Sequence, residues 1–199
     1  MPKLTLDDIS DLRAYERARP ELLSDVIALK KKRRVTVGDK ITLVFENAHT
    51  IRFQIQEMAR IEKMVHDHEI EGELEVYNPL IPEPGHLAAT LFIELVSDDE
   101  LREWLPKLVG IEAQVEFRLG TNADVAVRCV VDPDHARFLT REHTTASVHY
   151  VHFSFSPAEI ELFGKGPVWL AVTHPNLQGV LELPPATVES LLHDLRHGG

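Results

Sequence analysis

The stretch Ala113-Gln114-Val115-Glu116-Phe117-Arg118-Leu119-Gly120-Thr121-Asn122, continued by Val125-Ala126-Val127-Arg128-Cys129-Val130-Val131, decides the fold. Successive side chains of a strand point to opposite faces, so Ala113, Val115, Phe117 and Leu119 share one face and Gln114, Glu116 and Arg118 the other. Val125, Val127, Cys129 and Val131 repeat the scheme after turn chemistry at Gly120-Thr121-Asn122. Two alternating runs joined by such a turn make an antiparallel hairpin with one buried face.

Working outward, the same alternation recurs on both sides. Ala89, Leu91, Ile93 and Leu95 form a strand before it, and Val35 and Val37 pair with Ile41, Leu43 and Phe45 around Gly38-Asp39 in an earlier hairpin. After it, Thr145 to Phe155 is extended, and Val168 to Thr173 and Gly179 to Leu183 are joined through His174-Pro175-Asn176. Helix signals fall between the strands. Thr5 with Asp8 opens a short helix, Pro20 ends it or starts a second one running through Leu29, and Asn47 caps a long helix from about Ala48 to Val65. Ser97 with Glu100, and Ser156 with Pro157 and Glu159, open two more, the latter stopping at Gly164. Pro184-Pro185 leads into a last helix carrying Leu191, Leu192 and Leu195. The expected class is α+β: a mostly antiparallel sheet of about six to seven strands with N-terminal helices, one long central helix and a C-terminal helix. The expected organisation is a single domain over 1–199, with a helical N-terminal region over 1–76, a Pro-rich connection over 77–86 and a sheet-rich region over 87–199.

Composition narrows the setting. The 199 residues hold 21 Lys+Arg against 32 Asp+Glu, a formal net charge of -11, which repels nucleic acid and anionic membranes at long range. The run Lys30-Lys31-Lys32-Arg33-Arg34 opposes that trend locally, yet at a helix end it reads as a solvated terminus that complements the helix dipole. No nucleic-acid partner is expected. One cysteine excludes an internal disulfide, and no apolar stretch approaches a signal core or a membrane span, so a cytoplasmic protein without a membrane partner is expected. Gly-rich phosphate loops, Gly-x-Ser-x-Gly, His-Glu-x-x-His and Cys-x-x-Cys are all missing from the sequence. Cys129 shares its face with valines and reads as a small buried side chain.

The long helix after Asn47 carries the most informative chemistry. On a helical wheel Ile51, Ile55, Met58, Ile61 and Val65 form one stripe, opposed by Arg52, Gln56, Arg60 and Lys63. Gln54 and Glu62 interrupt the apolar stripe, and Glu62 lies four residues before His66, which places both on one side of a continuous helix. A buried carboxylate needs a cation, a metal or a shifted pKa. Eleven histidines are many for this length. His149 shares a strand face with Val151 and Phe153, His152 shares the other with Tyr150, and His174 ends another strand. His149, His174 and a carboxylate such as Glu57 or Glu62 therefore make a candidate metal set suited to zinc or iron. Arg52 or Arg60 holding a carboxylate or phosphate is the alternative, a small-molecule anion-binding module.

The stretch from Val26 through Lys30-Lys31-Lys32-Arg33-Arg34 to Gly38, with Phe45-Glu46-Asn47, Arg52-Phe53-Gln54-Ile55-Gln56-Glu57-Met58, Tyr77-Asn78-Pro79-Leu80-Ile81-Pro82, Ser147-Val148-His149-Tyr150 and His174-Pro175, resembles a bacterial family of unknown function. The resemblance covers essentially the whole chain. It implies single-domain cytoplasmic proteins often encoded beside rubrerythrin-like proteins and an iron-sulfur protein related to heterodisulfide reductase subunits, hence a setting of electron transfer or peroxide handling. It also marks Arg52, Gln54, Gln56, Glu57 and Arg60, with Asn78, as a partner- or ligand-binding surface. The expectation is a non-enzymatic accessory or binding protein of an iron-dependent redox system; a metal-binding protein or metalloenzyme is the second reading.

Overall fold

Strands β1 (Arg34–Val37) and β2 (Ile41–Phe45) form the first hairpin, turning where Gly38 takes a φ of 70° that side-chain-bearing residues rarely adopt. The computed structural model describes residues 3–131, 140, 141 and 143–199. Next in chain order come β3 (His86–Ile93), β4 (Val115–Leu119), β5 (Val125–Arg128), β6 (Val130–Val131), β7 (Thr140–Arg141) and β8 (Thr144–Thr145). Then follow β9 (Val148–Ser154), β10 (Val168–His174) and β11 (Leu177–Glu182). Among the described residues the strands build a five-stranded sheet in the order β1-β2-β3-β9-β6, a four-stranded sheet in the order β11-β10-β4-β5, and the small pair β7-β8. Every pairing is antiparallel.

The α+β class and its antiparallel strands are as the alternation predicts, with the strands divided over two sheets. The division turns on Cys129. Strand β5 pairs with β4, while β6, one residue later, pairs with β9 in the other sheet. Cys129 sits at this corner, its backbone N–H donating to Val115 and its thiol to the Glu112 carbonyl. A strand that changes sheets at a bend is a recurrent way to close the corner of a sandwich. The thiol is buried and its pKa is pushed up to about 11, first by burial, so Cys129 packs as an inert small group.

The inner faces of the two sheets meet in one apolar core. Phe117 of β4 lies 5.6 Å from Phe45 of β2 and 4.8 Å from Phe153 of β9, ring centre to ring centre. Among the described residues the α-helices are α1 (Leu12–Arg33), α2 (Ala48–Glu62), α3 (Asp67–Tyr77), α4 (Asp98–Trp104), α5 (Pro157–Lys165) and α6 (Pro185–His197). Phe163 of α5 with Leu191 and Leu195 of α6 complete this core. A second cluster, with Ile51 and Ile55 of α2, Leu74 of α3 and Tyr150 of β9, lies on the outer face of the five-stranded sheet. The alternation on β9 is therefore read out on both sides: His149, Val151 and Phe153 are buried inward, and Tyr150 faces the helices.

Several local expectations change. Pro20 does not divide the first helix: α1 runs unbroken to Arg33, and its cap is Asp11, whose carboxylate accepts from the Arg13 and Ala14 backbone, while Thr5 caps only a single turn at Leu6–Asp8. Proline costs one hydrogen bond, to the Glu16 carbonyl, and Glu16 and Pro20 are exposed, so water serves there. Buried Val26 and Arg33 hold the helix beyond it. The basic run is likewise not wholly a solvated terminus, because Arg33 is 1% exposed. Helix α2 stops at Glu62, where Lys63 turns left-handed with φ 57°, so His66 belongs to the start of α3 and no longer shares a helix with Glu62. Ile61 and Val65 are consequently exposed, at 63% and 71%. Helix α5 passes through Gly164 and ends at Lys165.

Candidate functional site

Helices α1 and α2 flank the β1–β2 hairpin and are tied together at both ends. At one end the Tyr15 hydroxyl donates to Glu57 Oε1 at 2.7 Å, and Arg19 forms a two-pronged pair with the same carboxylate at 2.8 and 2.9 Å. At the other end Arg33 donates to the Phe45 and Glu46 carbonyls just ahead of α2, at 2.8 and 3.0 Å, and to Ser190 and Asp194 of α6. The start of α1 thus meets the end of α2, and the end of α1 meets its start. The two helices run antiparallel.

Between these ties lies a cleft of about 460 Å³. Tyr15, Leu22, Val26 and Leu29 recur at helical spacing along one face of α1 and give it an apolar wall, with Asp25 beside them. From α2 come His49, Arg52, Phe53 and Gln56, again one helical face. Gln56 closes the cleft without being free: it is 2% exposed, its Oε1 accepts from the Ser10 N–H at 2.8 Å and its Nε2 donates to the Ser10 carbonyl at 3.1 Å. Asn78 clamps Leu4 in the same double fashion, at 2.9 Å each way. Two side-chain amides therefore hold the N-terminal segment against α2 and α3, each satisfying a backbone N–H and C=O together.

The remaining polar residues of α2 separate into committed and uncommitted groups. Glu57 accepts from Tyr15, Arg19 and Arg60, and these donors, Arg19 foremost, hold its carboxyl well down, at about 2. Burial, reinforced by the bond to Glu57, pushes the Tyr15 phenol up. Arg60 is engaged by Glu57 at 3.2 Å and by Glu16 at 3.8 Å. Gln54 and Glu62 are not buried among apolar side chains: Gln54 is half-buried beside Tyr77, and Glu62 is exposed because the helix ends there. Arg52, His49 and Asp25 make no hydrogen bond or ion pair within reach of the other described residues; Arg52 acts on Asp8 only through its charge.

Glu57→Gln is expected to lower stability by roughly 1–2 kcal/mol, since the charge-assisted contacts to Arg19 and Arg60 are weakened while these half-exposed cations can still turn to water. A carboxyl depressed in the fold stabilises fully above its ordinary pKa and loses that contribution as it protonates. The stability gap between wild type and Glu57→Gln should accordingly narrow as pH falls from the ordinary value of 4.5 toward about 2. Urea denaturation of both proteins at stepped pH measures it, and a gap constant down to about pH 3 would refute the carboxylate's role.

The candidate metal set is not brought together. His149 faces the core on the inner side of the five-stranded sheet, whereas Glu57 sits on a helix packed against its outer side. His149 Nε2 lies 2.9 Å from both Thr145 Oγ1 and the Ala146 carbonyl, and burial, opposed by the Glu112 charge, lowers its pKa below 6.5. His174 ends β10 in the other sheet. Its Nδ1 accepts from the Asn176 N–H at 3.2 Å, which leaves Nε2–H to donate to the Val109 carbonyl at 3.2 Å, so both ring nitrogens are engaged. Among the described residues no three His, Cys, Asp or Glu side chains are grouped to hold a metal ion. The residues expected to hold zinc or iron do not fit it as a set. Among the described residues no helix is long and apolar enough to cross a membrane.

These features define a class: an α+β protein of two packed antiparallel sheets whose helical layer carries an amphipathic cleft. The chain belongs to the DUF3501 family of proteins of unknown function, the match covering residues 3–195. It is similar to a novel protein of unknown function from Burkholderia pseudomallei K96243, known from a crystal structure at 1.90 Å resolution. That protein is 34% identical, the alignment spans 98% of this chain and 100% of that one, and the TM-score is 0.88. No curated protein matches the chain.

Proposed function

We propose that this is a non-enzymatic accessory protein that binds a small organic anion in the cleft between α1 and α2. One observation carries the reading: Arg52 lines the cleft without an ion-pair partner among the described residues, while nearby Arg19 and Arg60 are both paired with Glu57. A guanidinium presents a planar fork that matches a carboxylate, and the apolar wall of Leu22, Val26 and Leu29 with Phe53 suits the body of such a ligand. Pockets of several hundred Å³ with a few polar groups on apolar walls are the usual form of small-molecule sites. The family resemblance supports a cytoplasmic, iron-dependent redox or peroxide-handling setting, with a rubrerythrin-like protein and an iron-sulfur protein as partners that a pull-down under reducing and oxidising conditions would retain.

Calorimetric titration with a set of apolar-bodied carboxylates, among them 4-methylpentanoate, 3-phenylpropionate, L-leucine and L-phenylalanine, tests the cleft. Saturable binding is expected for at least one, weakened about tenfold or more in Arg52→Gln, as loss of a charge-assisted hydrogen bond implies. Unchanged thermal melting of the variant separates this from misfolding. If no member of the set binds, or if Arg52→Gln binds as wild type does, the proposal fails.

A further inference from the structure

The cleft carries opposite charges on its two walls. Arg52 stands on α2, and Asp25 stands on α1 beside the apolar residues Leu22, Val26 and Leu29. The ties of Tyr15 to Glu57 and of Arg33 to the Phe45 and Glu46 carbonyls set an antiparallel register in which Asp25 comes level with the turn from His49 to Phe53. Asp25 and Arg52 nevertheless form no ion pair with each other, although ion pairs join other charged side chains of the same two helices, Arg19 with Glu57 and Arg60 with Glu16. A cation and an anion facing one apolar-walled space without meeting leave room for a molecule that satisfies both.

We infer that the ligand is a zwitterion with an apolar side chain, an α-amino acid of the leucine or phenylalanine kind: its carboxylate meets Arg52, its ammonium meets Asp25, and its side chain lies against Leu22, Val26, Leu29 and Phe53. The inference rests on the anion-binding reading of the same cleft and adds the second charge. A simple anion gains from Arg52 but is repelled by Asp25; a simple amine has the reverse difficulty; a polyphosphate meets one arginine and one like charge. Only a molecule carrying both signs gains from both walls, and discrimination of this kind is built as much from repulsion of the wrong charge as from attraction of the right one.

Calorimetry with matched ligands decides the matter. L-Leucine is compared with 4-methylpentanoate, which lacks the amine, and with 3-methylbutylamine, which lacks the carboxylate; L-phenylalanine is compared with 3-phenylpropionate and 2-phenylethylamine. The amino acids are expected to bind about tenfold or more tightly than either single-charge analogue, the scale of one charge-assisted contact. Asp25→Asn is expected to remove the advantage of L-leucine over 4-methylpentanoate while leaving the acid bound as well as before or better. Asp25 is exposed on α1, and an unchanged melting temperature confirms that the variant folds. Equal or tighter binding of the deaminated acids by wild type would overturn the zwitterion and leave the anion cleft standing. Failure of every ligand to bind would overturn both.

Discussion

Asp194→Ala is expected to destabilise the protein by about 3–5 kcal/mol, the range for removing one partner of a buried ion pair. Arg33 is 1% exposed, and its guanidinium is surrounded by the Phe45 and Glu46 carbonyls, the Ser190 hydroxyl and the Asp194 carboxylate. Of these only Asp194 supplies negative charge. Without it the cation stays buried against dipoles alone, and it cannot shed its proton. Burial pushes the Asp194 carboxyl up despite the downward pull of Arg33, and the desolvation of a buried ion pair commonly offsets most of its attraction. The pair is therefore better at fixing geometry than at adding stability, and the double variant Arg33→Met with Asp194→Leu is expected to recover most of the loss. Urea midpoints of the single and double variants measure this; a single-variant loss below about 1 kcal/mol would contradict an uncompensated buried charge. Because Arg33 is the tie at one end of the cleft, the single variant should also weaken ligand binding in the titration that tests Arg52.

How far such features can be read from the chain depends on the range of the forces that make them. Asn47, Ser97 and Ser156 are visible as caps because each bonds a backbone N–H three residues on. The opposite faces of His149 and Tyr150 follow from the two-residue period of a strand. The division of the strands over two sheets does not, because it depends on where β5 hands over to β6, and Cys129 looks like any inward residue of one continuous strand. Gln56 falls on the polar side of the helical wheel and yet lies buried, because its partner, Ser10, is 46 residues away. Arg33 reads as one cation in a run of five, while its environment is assembled by residues up to 161 positions distant. Pro20 misleads for a related reason: local backbone preference favours a break, and tertiary packing of the following turns overrides it. Among the residues of the proposed site, Arg52 is legible as a candidate from its helix pattern. Asp25 is not, since it belongs to a helix whose facing partner the sequence does not name.

Phe117→Ala is expected to cost about 3–5 kcal/mol, as for truncation of a buried phenylalanine whose surroundings cannot collapse. The ring is fully buried at the centre of the sandwich, within 4.8–5.7 Å of Phe153, Phe155, Phe45 and Phe163, ring centre to ring centre. These come from β2, from β9 and the residue just after it, and from α5, so the void would be walled by both sheets and a helix at once. No single element can move in to fill it without losing its own register. Since each kcal/mol moves the melting temperature of a chain this size by a few degrees, a fall of roughly 10 °C is expected by calorimetry. Phe117→Leu, which keeps an apolar group in place, should lose much less. The same substitution separates the core from the site. The cleft lies in the helical layer on the outer face of the five-stranded sheet, whereas Phe117 faces that sheet from the inside. Sites this far apart, without shared contacts, act additively on stability, so Phe117→Ala combined with Arg52→Gln should show the sum of the two separate effects. At a temperature where both proteins remain folded, Phe117→Ala should leave ligand affinity as in wild type. A loss of affinity equal to that of Arg52→Gln would mean that the cleft depends on the packing of the whole sandwich rather than on the two ties at Glu57 and Arg33.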